Sequence, residues 1–336
     1  MALLQEFVAL FEVWEEALPY LHLMVDEQEM QFLAAMKGLE TATEEAVSAE
    51  QVAGLLGLER QRAADLVQSC YQRCIVNKTQ AGGTIRFSTA DIGAVIDHFA
   101  KYGAWDDLPP EARTAIDCRF LDEFIAKHRA NVERKLLGQE TEALILPNDT
   151  VLLLHEVEEM IDAAELILVQ PCDCRRLGQR CDLPVHTCIW LDAGAQEALD
   201  RGHGQPLGRE EAKDLVRWAD RTGLMHTADS EWQSRGLHAI CNCCACDCYP
   251  FRAALELGSQ RVWPRSRYIA TYDEELCSFC GVCVERCHFA AFRHDDAGTK
   301  VLFDPHNCWG CGLCANTCPT GAIEMLASEP YVGAAA

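Results

Sequence analysis

The sequence predicts a multidomain α+β protein, and three observations carry this prediction. Apolar residues recur at helical spacing through most of the first half, and short apolar runs typical of strands are interspersed in the second. All but three of the 20 cysteines lie beyond residue 170. The last part of the chain repeats its cysteine pattern after 31 residues. We therefore expect a mostly helical domain at 1–147, a cysteine-rich domain at 148–265 and a third domain at 266–336.

The first helices are predicted from apolar spacing and from capping residues. Six apolar side chains recur at helical spacing until Pro19 interrupts the pattern: Leu3, Leu4, Phe7, Val8, Phe11 and Trp14. Asp26 and Glu29 have the spacing of a capping box, which predicts a second helix through about Lys37, and Gly38 suits its end.

Residues 45–90 predict a winged-helix-like unit. Ser48 and Gln51 form a second capping box, followed by a helix to Gly57 and a longer helix over about 59–74. Strands at 75–76 and 84–87 flank a Gly82-Gly83 turn. The net charge over 59–101 is only +2, which is low for a DNA-binding module, so docking to protein is favoured over DNA.

Further helices and short strands are predicted between residues 109 and 240. Pro109-Pro110 opens a helix to about Leu137, and Pro147 breaks the helical pattern. The remaining apolar patterns predict helices over 156–164 and 209–221 and strands over 166–169, 224–227 and 237–240.

Composition and charge limit the classes of function. The chain has 336 residues, a formal charge of −23 and 49% hydrophobic residues, which suffices for two or three packed domains. It opens without a basic, apolar leader, so we expect a cytoplasmic protein with reduced cysteines and no membrane span. The negative charge disfavours nucleic acid and favours partners with a basic patch.

Two cysteine runs with identical spacing near the C-terminus are the strongest indication of function. Each run has the spacing Cys-x2-Cys-x2-Cys-x3-Cys, which holds [4Fe–4S] clusters whose fourth ligand comes from the other run. We assign Cys277, Cys280, Cys283 and Cys318 to one cluster, and Cys308, Cys311, Cys314 and Cys287 to the second. Structural zinc is the alternative, but zinc sites seldom interleave in this way.

The segment from Tyr272 to Leu326 resembles bacterial-type two-cluster ferredoxins, including the Cys318-Pro319 exit from the second run. The resemblance implies a small pseudo-two-fold α+β domain that passes low-potential electrons. One departure is His288, which follows Cys287 where the family usually has proline.

Nine further cysteines form two central groups, which ordinary core packing does not explain: Cys172, Cys174, Cys181 and Cys188, and then Cys241, Cys243, Cys244, Cys246 and Cys248. They could hold two more clusters with one thiol to spare, or one cluster and a zinc ion, and we favour at least one further [4Fe–4S] cluster. The vicinal Cys243 and Cys244 are expected to serve different centres because adjacent side chains diverge. Arg175 and Arg176 either offset cluster charge or are surface residues.

The order of these parts resembles a class of uncharacterised multidomain bacterial iron–sulfur proteins with Cys-x-Cys-Arg and Cys-Asn-Cys-Cys signatures. The class often ends its second signature with consecutive cysteines, where this chain has Asp247 between Cys246 and Cys248. Among the other candidate residues, Cys70, Cys74 and Cys118 are expected to pack in helices, and none of His186, His203, His226 and His238 is expected to be a ligand.

No dinucleotide fingerprint, P-loop or catalytic constellation appears in the sequence. We therefore predict an electron-transfer subunit of a cytoplasmic oxidoreductase complex, whose partner carries a flavin or metal cofactor; a soluble ferredoxin is a further candidate partner. The alternatives are a winged-helix DNA-binding regulator with sensor clusters, and a self-contained iron–sulfur enzyme with an open coordination site.

Overall fold

A computed structural model of the chain describes residues 2–81, 83–139, 146–230 and 236–328, so Gly82 of the predicted turn and the last residues of the third predicted domain lie outside it. The described residues form helices and antiparallel sheets, which confirms the mixed α+β class. The chain divides into two compact units. The first consists of Met1–Phe120, Arg176–Gly178 and Leu199–His203, and the second of Leu121–Arg175, Gln179–Ala198 and Gly204–Ala336. This division does not follow the expected boundaries at 147 and 265, and the three-domain organisation stays a prediction.

The first unit is mostly helical and contains one hairpin. Its helices are α1 (Ala2–Leu10), α2 (Glu27–Thr43), α3 (Ala49–Leu56), α4 (Arg60–Gln72), α5 (Ile92–Tyr102) and the start of α6 (Pro110–Leu136), with 3-10 turns at Leu18–Leu23 and Trp105–Asp107. Strands β1 (Val76–Ala81) and β2 (Thr84–Thr89) pair antiparallel. The order from α3 to β2 matches the order of elements predicted for residues 45–90.

Both predicted capping boxes are present, but two helix ends differ from the prediction. The Asp26 and Ser48 side chains accept the backbone N–H groups of Glu29 and Gln51, whose side chains reach back. Helix α1 ends at Leu10, four residues before Trp14. Helix α2 runs past Gly38 to Thr43, because the carboxylate of Glu40 accepts both the backbone N–H and the hydroxyl of Thr89 in β2.

A six-stranded antiparallel sheet organises the second unit. Its strands are β3 (Thr150–Leu152), β4 (Ile167–Pro171), β5 (His186–Leu191), β6 (Gln205–Pro206), β7 (Met225–Ala228) and β8 (Ala239–Cys243), in the order β3-β7-β8-β5-β4-β6. The helices of this part of the chain are α7 (Leu154–Ala163), α8 (Asp173–Gly178), α9 (Asp192–Asp200), α10 (Arg209–Thr222) and α11 (Tyr249–Leu257). Val157 and Ile161 of α7 pack with Val216 of α10 against Ile189 and Ile240 of the sheet.

The last part of the second unit is a small domain with internal symmetry. Strands β9 (Tyr268–Tyr272) and β12 (Ile323–Ala327) pair antiparallel, as do β10 (Phe292–His294) and β11 (Val301–Phe303). Each cysteine run leads into a short helix, α12 (Val282–Arg286) and α13 (Leu313–Asn316). Left-handed backbone recurs at residues 31 positions apart: 279 and 310, 281 and 312, and 290 and 321. The sequence repeat is therefore also a repeat of backbone conformation.

Candidate metal centres

Two cavities in the C-terminal domain are each lined by four cysteines. The first contains Cys277, Cys280, Cys283 and Cys318, and the second contains Cys287, Cys308, Cys311 and Cys314. Four thiols around one space match the ligand number of a [4Fe–4S] cluster. The fourth cysteine of each run lies at the cavity of the other run, as the interleaved spacing predicts.

The backbone around these cavities is shaped to approach the sulfur atoms. The Sγ atoms of Cys277 and Cys287 accept the backbone N–H groups of Phe279 and Ala291 at 3.4 and 3.2 Å. Gly310 has a φ of 66°, and a Cβ there would lie 2.1 Å from the carbonyl oxygen of Tyr268. Only glycine fits this approach of the second loop to β9. N–H donors directed at sulfur stabilise negative charge on a thiolate-ligated cluster.

Burial favours the protonated form of Cys283 and Cys311 in the absence of a metal. It raises the pKa of Cys311 to about 12 and, together with the nearby Cys277, raises the pKa of Cys283 to about 11. A bound cation would supply the positive charge that the buried thiolates lack. The donor set and the cavities therefore fit iron–sulfur clusters.

His288, the departure from the ferredoxin pattern, joins the C-terminal domain to the central sheet region. Its Nε2 lies 2.6 Å from the carbonyl oxygen of Gly223, just after α10. Arg286 reaches the same helix end and donates to the carbonyl oxygens of Arg221 and Asp220. The loop that carries Cys287 is thus fixed to α10.

Six of the central cysteines lie in one continuous chain of thiols. Cys172 and Cys174 lie at the start of α8 just after β4, Cys188 lies on β5, and Cys248 immediately precedes α11. Cys241 and Cys243 lie on β8. Sγ–Sγ distances are 3.4 Å between Cys243 and Cys248 and 3.9 Å between Cys188 and Cys241. Cys174 lies within hydrogen-bonding reach of Cys172 and Cys248. Residues 241 and 243 project from one face of β8, so the strand contributes two thiols to the same side.

The other three central cysteines form a separate group with Asp247. The ligand atoms of Cys181, Cys244, Cys246 and Asp247 all lie within 4.8 Å of one another. Burial raises the pKa of Cys181 to about 11, whereas the hydrogen bond from Cys246 and the charge of Arg175 lower the pKa of Cys244 to about 6. The vicinal Cys243 and Cys244 thus point into different groups, as the divergence of adjacent side chains predicts.

A buried arginine lies between the two central groups. Arg175 is 2% exposed and donates to the carbonyl oxygens of Asn242 and Pro184, and its Nη1 is 3.9 Å from the Sγ of Cys244. Arg176 belongs to the first unit instead, where it pairs with Asp106. Arg175 therefore offsets thiolate charge, while Arg176 binds a carboxylate.

A chain of buried polar side chains continues from Asn242. The amide of Asn242 donates to the carbonyl oxygen of Thr187, and its Oδ1 is 2.7 Å from Nδ1 of His226. The Nε2 of His226 is 3.8 Å from the Asp220 carboxylate, which accepts the side-chain amide of Asn316 in α13. His226 thus lies in the middle of a buried polar chain that runs from Asn242 to Asp220.

The remaining predicted residues have varied surroundings. Cys70 is buried in α4 as expected, but the expected helix packing is wrong for Cys118, which is exposed on α6, and for Cys74, which follows the end of α4. His186 and His238 lie on strand β5 and just before β8. No sequence pattern groups Cys74, His98 and His203, but their ligand atoms lie within 4.8 Å of one another in the first unit. Burial lowers the pKa of His98 to about 3, with contributions from His203, Lys101, Arg73 and Arg201. The positive charges of Lys101, Arg73 and Arg201 oppose a metal ion there.

Two buried acidic residues, Asp220 and Asp247, were not predicted as candidate site residues. Asp247 stands out in the sequence only as a break in the cysteine signature, and its complete burial beside three thiols marks it as a candidate ligand. Asp220 carries no motif, yet it is 2% exposed and accepts hydrogen bonds from the C-terminal domain. Among the described residues, no helix combines the length and apolar character needed to cross a bilayer.

The C-terminal domain is similar to known iron–sulfur proteins. The model of the 4Fe-4S dicluster domain family matches residues 276–322. An uncharacterised ferredoxin of Methanocaldococcus jannaschii is 38% identical over 58 residues, which are 16% of this chain and 90% of that protein.

Longer proteins are also similar to parts of the chain. The indolepyruvate oxidoreductase subunit IorA of Pyrococcus horikoshii is 35% identical over 125 residues, which are 36% of this chain and 18% of that subunit. The polyferredoxin protein MvhB of Methanothermus fervidus is 33% identical over 64 residues, 16% of each chain. The chain thus spans only a minor part of these relatives.

Proposed function

The chain belongs, through its C-terminal domain, to the ferredoxins with two [4Fe–4S] clusters, and from this premise we propose that it is an electron-transfer subunit of an oxidoreductase complex. The observation that carries the proposal is the pair of cavities, each lined by four cysteines, inside the segment that matches the dicluster family. Bound clusters would supply reversible one-electron chemistry. The thiols of Cys277, Cys280, Cys283 and Cys318 would hold one cluster, and those of Cys287, Cys308, Cys311 and Cys314 the other.

The six-thiol central group extends the proposal to at least one further [4Fe–4S] cluster. This group and the C-terminal domain share one hydrophobic core, in which Cys243 and Cys248 pack with Phe251, Trp309 and Leu313. A shared core fixes the position of the central group relative to the second cavity. The chain could thus pass electrons between fixed centres within its second unit.

The first unit is proposed to be the docking domain, with a winged-helix-like core over residues 45–90 formed by α3, α4 and the β1–β2 hairpin. Cations of this region are held by carboxylates: Arg73 by Glu29, Lys78 by Asp200 and Arg86 by Glu45. Such pairing reduces the positive charge available to nucleic acid phosphates. A protein partner therefore fits this unit better than DNA, and no observation here favours the regulator.

The partner is proposed to carry a flavin or metal cofactor and to act with this chain in the cytoplasm. The similarity to subunits of indolepyruvate oxidoreductase supports a redox partner, but it covers too little of those subunits to carry over their substrate. The net charge of −23 favours a partner with a basic docking patch.

Replacement of Cys311 by alanine tests the assignment of the two C-terminal clusters. We expect the anaerobically purified variant to lose about four iron and about four sulfide per chain, because the second cluster loses one of its ligands. Cys277→Ala is the matched variant for the first cluster. In each variant, the electron paramagnetic resonance spectrum of the reduced protein should show loss of coupling between the two clusters. An unchanged iron content in Cys311→Ala would refute the assignment.

The role in electron transfer needs a second experiment. The tagged chain, purified anaerobically from its native source, should co-elute with a flavin- or metal-containing subunit. Reduced chain should then reduce that cofactor, and the Cys311→Ala variant should do so more slowly. A chain that elutes alone and exchanges no electrons with any co-purified cofactor would contradict the proposal.

A further inference from the structure

The two kinds of cysteine site in the second unit differ in size. At the separate central group, four ligand atoms converge within 4.8 Å of one another. Among the residues that the structure describes, no three of the eight C-terminal thiols converge in this way. Thiolates around a [4Fe–4S] cluster bind different irons at separate corners, so they need not converge, whereas ligands of a single ion must.

The distances within this group match a single tetrahedral ion. With Zn–S bonds of about 2.3 Å, two sulfur ligands at the tetrahedral angle lie ~3.8 Å apart, and a sulfur and an oxygen at about 2.0 Å lie ~3.5 Å apart. The Sγ–Sγ distance between Cys181 and Cys244 is 3.9 Å. Oδ2 of Asp247 lies 3.1 Å from Sγ of Cys181 and 3.8 Å from Sγ of Cys244.

We infer that Cys181, Cys244, Cys246 and Asp247 hold one zinc ion, distinct from every iron–sulfur cluster of the chain. Three thiolates and a carboxylate fill the four positions that structural zinc sites use. Zinc binds such ligands more tightly than ferrous iron does, according to the general order of divalent metal affinities. The site is closed to substrate because all four positions come from the protein.

The surroundings of the group support its ligand geometry. The backbone N–H of Arg180 donates to Oδ1 of Asp247 at 3.0 Å and so leaves Oδ2 directed at the thiols. Asp247 is fully buried. A carboxylate that is buried with its second oxygen facing thiols needs a cation to offset its charge. Arg175, beside Cys244, offsets part of the remaining negative charge of a site with four anionic ligands and one divalent ion.

The position of the site indicates what the zinc ion does. It ties the loop that carries Cys181 to the turn at 244–247, and this turn connects Cys243 to Cys248 of the six-thiol group. A redox-inactive ion at the turn would hold both thiols in place while the neighbouring cluster changes its charge. Zinc is suited to this role because it has a single oxidation state in proteins.

Metal analysis of the full chain tests the inference. Wild-type protein purified anaerobically should contain one zinc per chain in addition to its iron, and X-ray absorption at the zinc edge should show three sulfur and one oxygen neighbours. In Asp247→Asn, which keeps an oxygen for Arg180, zinc affinity measured by chelator competition should fall at least about 100-fold, because a direct ligand is lost. Iron content should stay unchanged.

Two further variants make the outcome specific. Asp247→Cys should restore zinc binding with four sulfur neighbours, and Cys188→Ser, in the six-thiol group, should keep zinc while it lowers iron. Zinc-free wild-type protein with intact iron would overturn the inference, as would loss of iron with retained zinc in Asp247→Asn, or a disulfide between two of the three thiols. If Asp247→Asn fails to fold, the zinc-edge spectrum of the wild type decides alone. None of these outcomes depends on the electron-transfer role.

Discussion

Arg286 offers the sharpest test of how the C-terminal domain is attached. It lies in α12 between two cluster-site cysteines, and it donates to the carbonyl oxygens of Leu313 at 3.1 Å and Arg221 at 2.7 Å. Its guanidinium also pairs with the carboxylate of Asp220 at 3.5 Å. The Arg286→Met substitution keeps much of the aliphatic stem and removes every one of these polar contacts.

The free-energy cost of Arg286→Met follows from the burial of the Arg286–Asp220 ion pair. The side chains of Arg286 and Asp220 are only 12% and 3% exposed. Removal of one partner of a buried ion pair costs about 3–5 kcal/mol. Asp220 retains the amide of Asn316 and the neighbouring His226, so we take the lower end, about 3 kcal/mol. This corresponds to a factor of roughly 100 in the equilibrium for local opening.

Hydrogen exchange of the anaerobic protein measures this opening directly. Amides at the end of α10, including Gly223 and Leu224, should exchange about 100-fold faster in Arg286→Met than in the wild type. Iron content should be measured in parallel to show that both clusters remain.

The matched control is Arg293→Met, which removes an exposed arginine of the same domain and should leave the exchange unchanged. In Asp220→Asn, the further effect of Arg286→Met should be much smaller, because the two residues share one interaction. An acceleration below about tenfold in Arg286→Met with full iron content would refute the view that this ion pair fastens the domain to α10.

Two further predictions concern the first unit and the shared core. Burial lowers the pKa of His98 to about 3, so the fold favours its neutral form. The free energy of unfolding should therefore fall as the pH drops from about 6.5 toward 3. In His98→Gln, urea titrations should show a smaller fall over this pH range. The buried ring of Trp309 stacks on Phe289 and meets Phe251 edge-on, so Trp309→Ala should cost about 3–5 kcal/mol in denaturant unfolding, and an unchanged midpoint would contradict this packing.

The local features of the sequence were predictable because their causes are local. Cysteine spacing fixed which four thiols line each C-terminal cavity, since the fourth ligand of each run has to cross to the other. The capping box of Ser48 and Gln51 marked the start of α3, because capping depends only on residues three positions apart.

The central sheet could not be predicted in the same way. The apolar pattern indicated β4, β7 and β8. Strands β3 and β6 have only three and two residues, and β5 pairs with β8 from a distant part of the chain. Strand pairing of this kind depends on tertiary context more than on local pattern. Asp247 was noted as a break in the cysteine signature but not predicted as a ligand, because the chain has 52 acidic residues and only the fold buries this one beside thiols.

The core shared by Trp309, Phe251 and Met225 has a consequence for how this polypeptide could change or be engineered. Small ferredoxins are self-contained, but here one wall of the domain is completed by the sheet and by α11. Expressed alone, residues 266–336 would present Trp309 and Leu313 to water and would tend to aggregate. A foreign ferredoxin that replaced residues 266–336 would need an apolar surface complementary to the sheet and α11 before it could exchange electrons with the central cysteine groups.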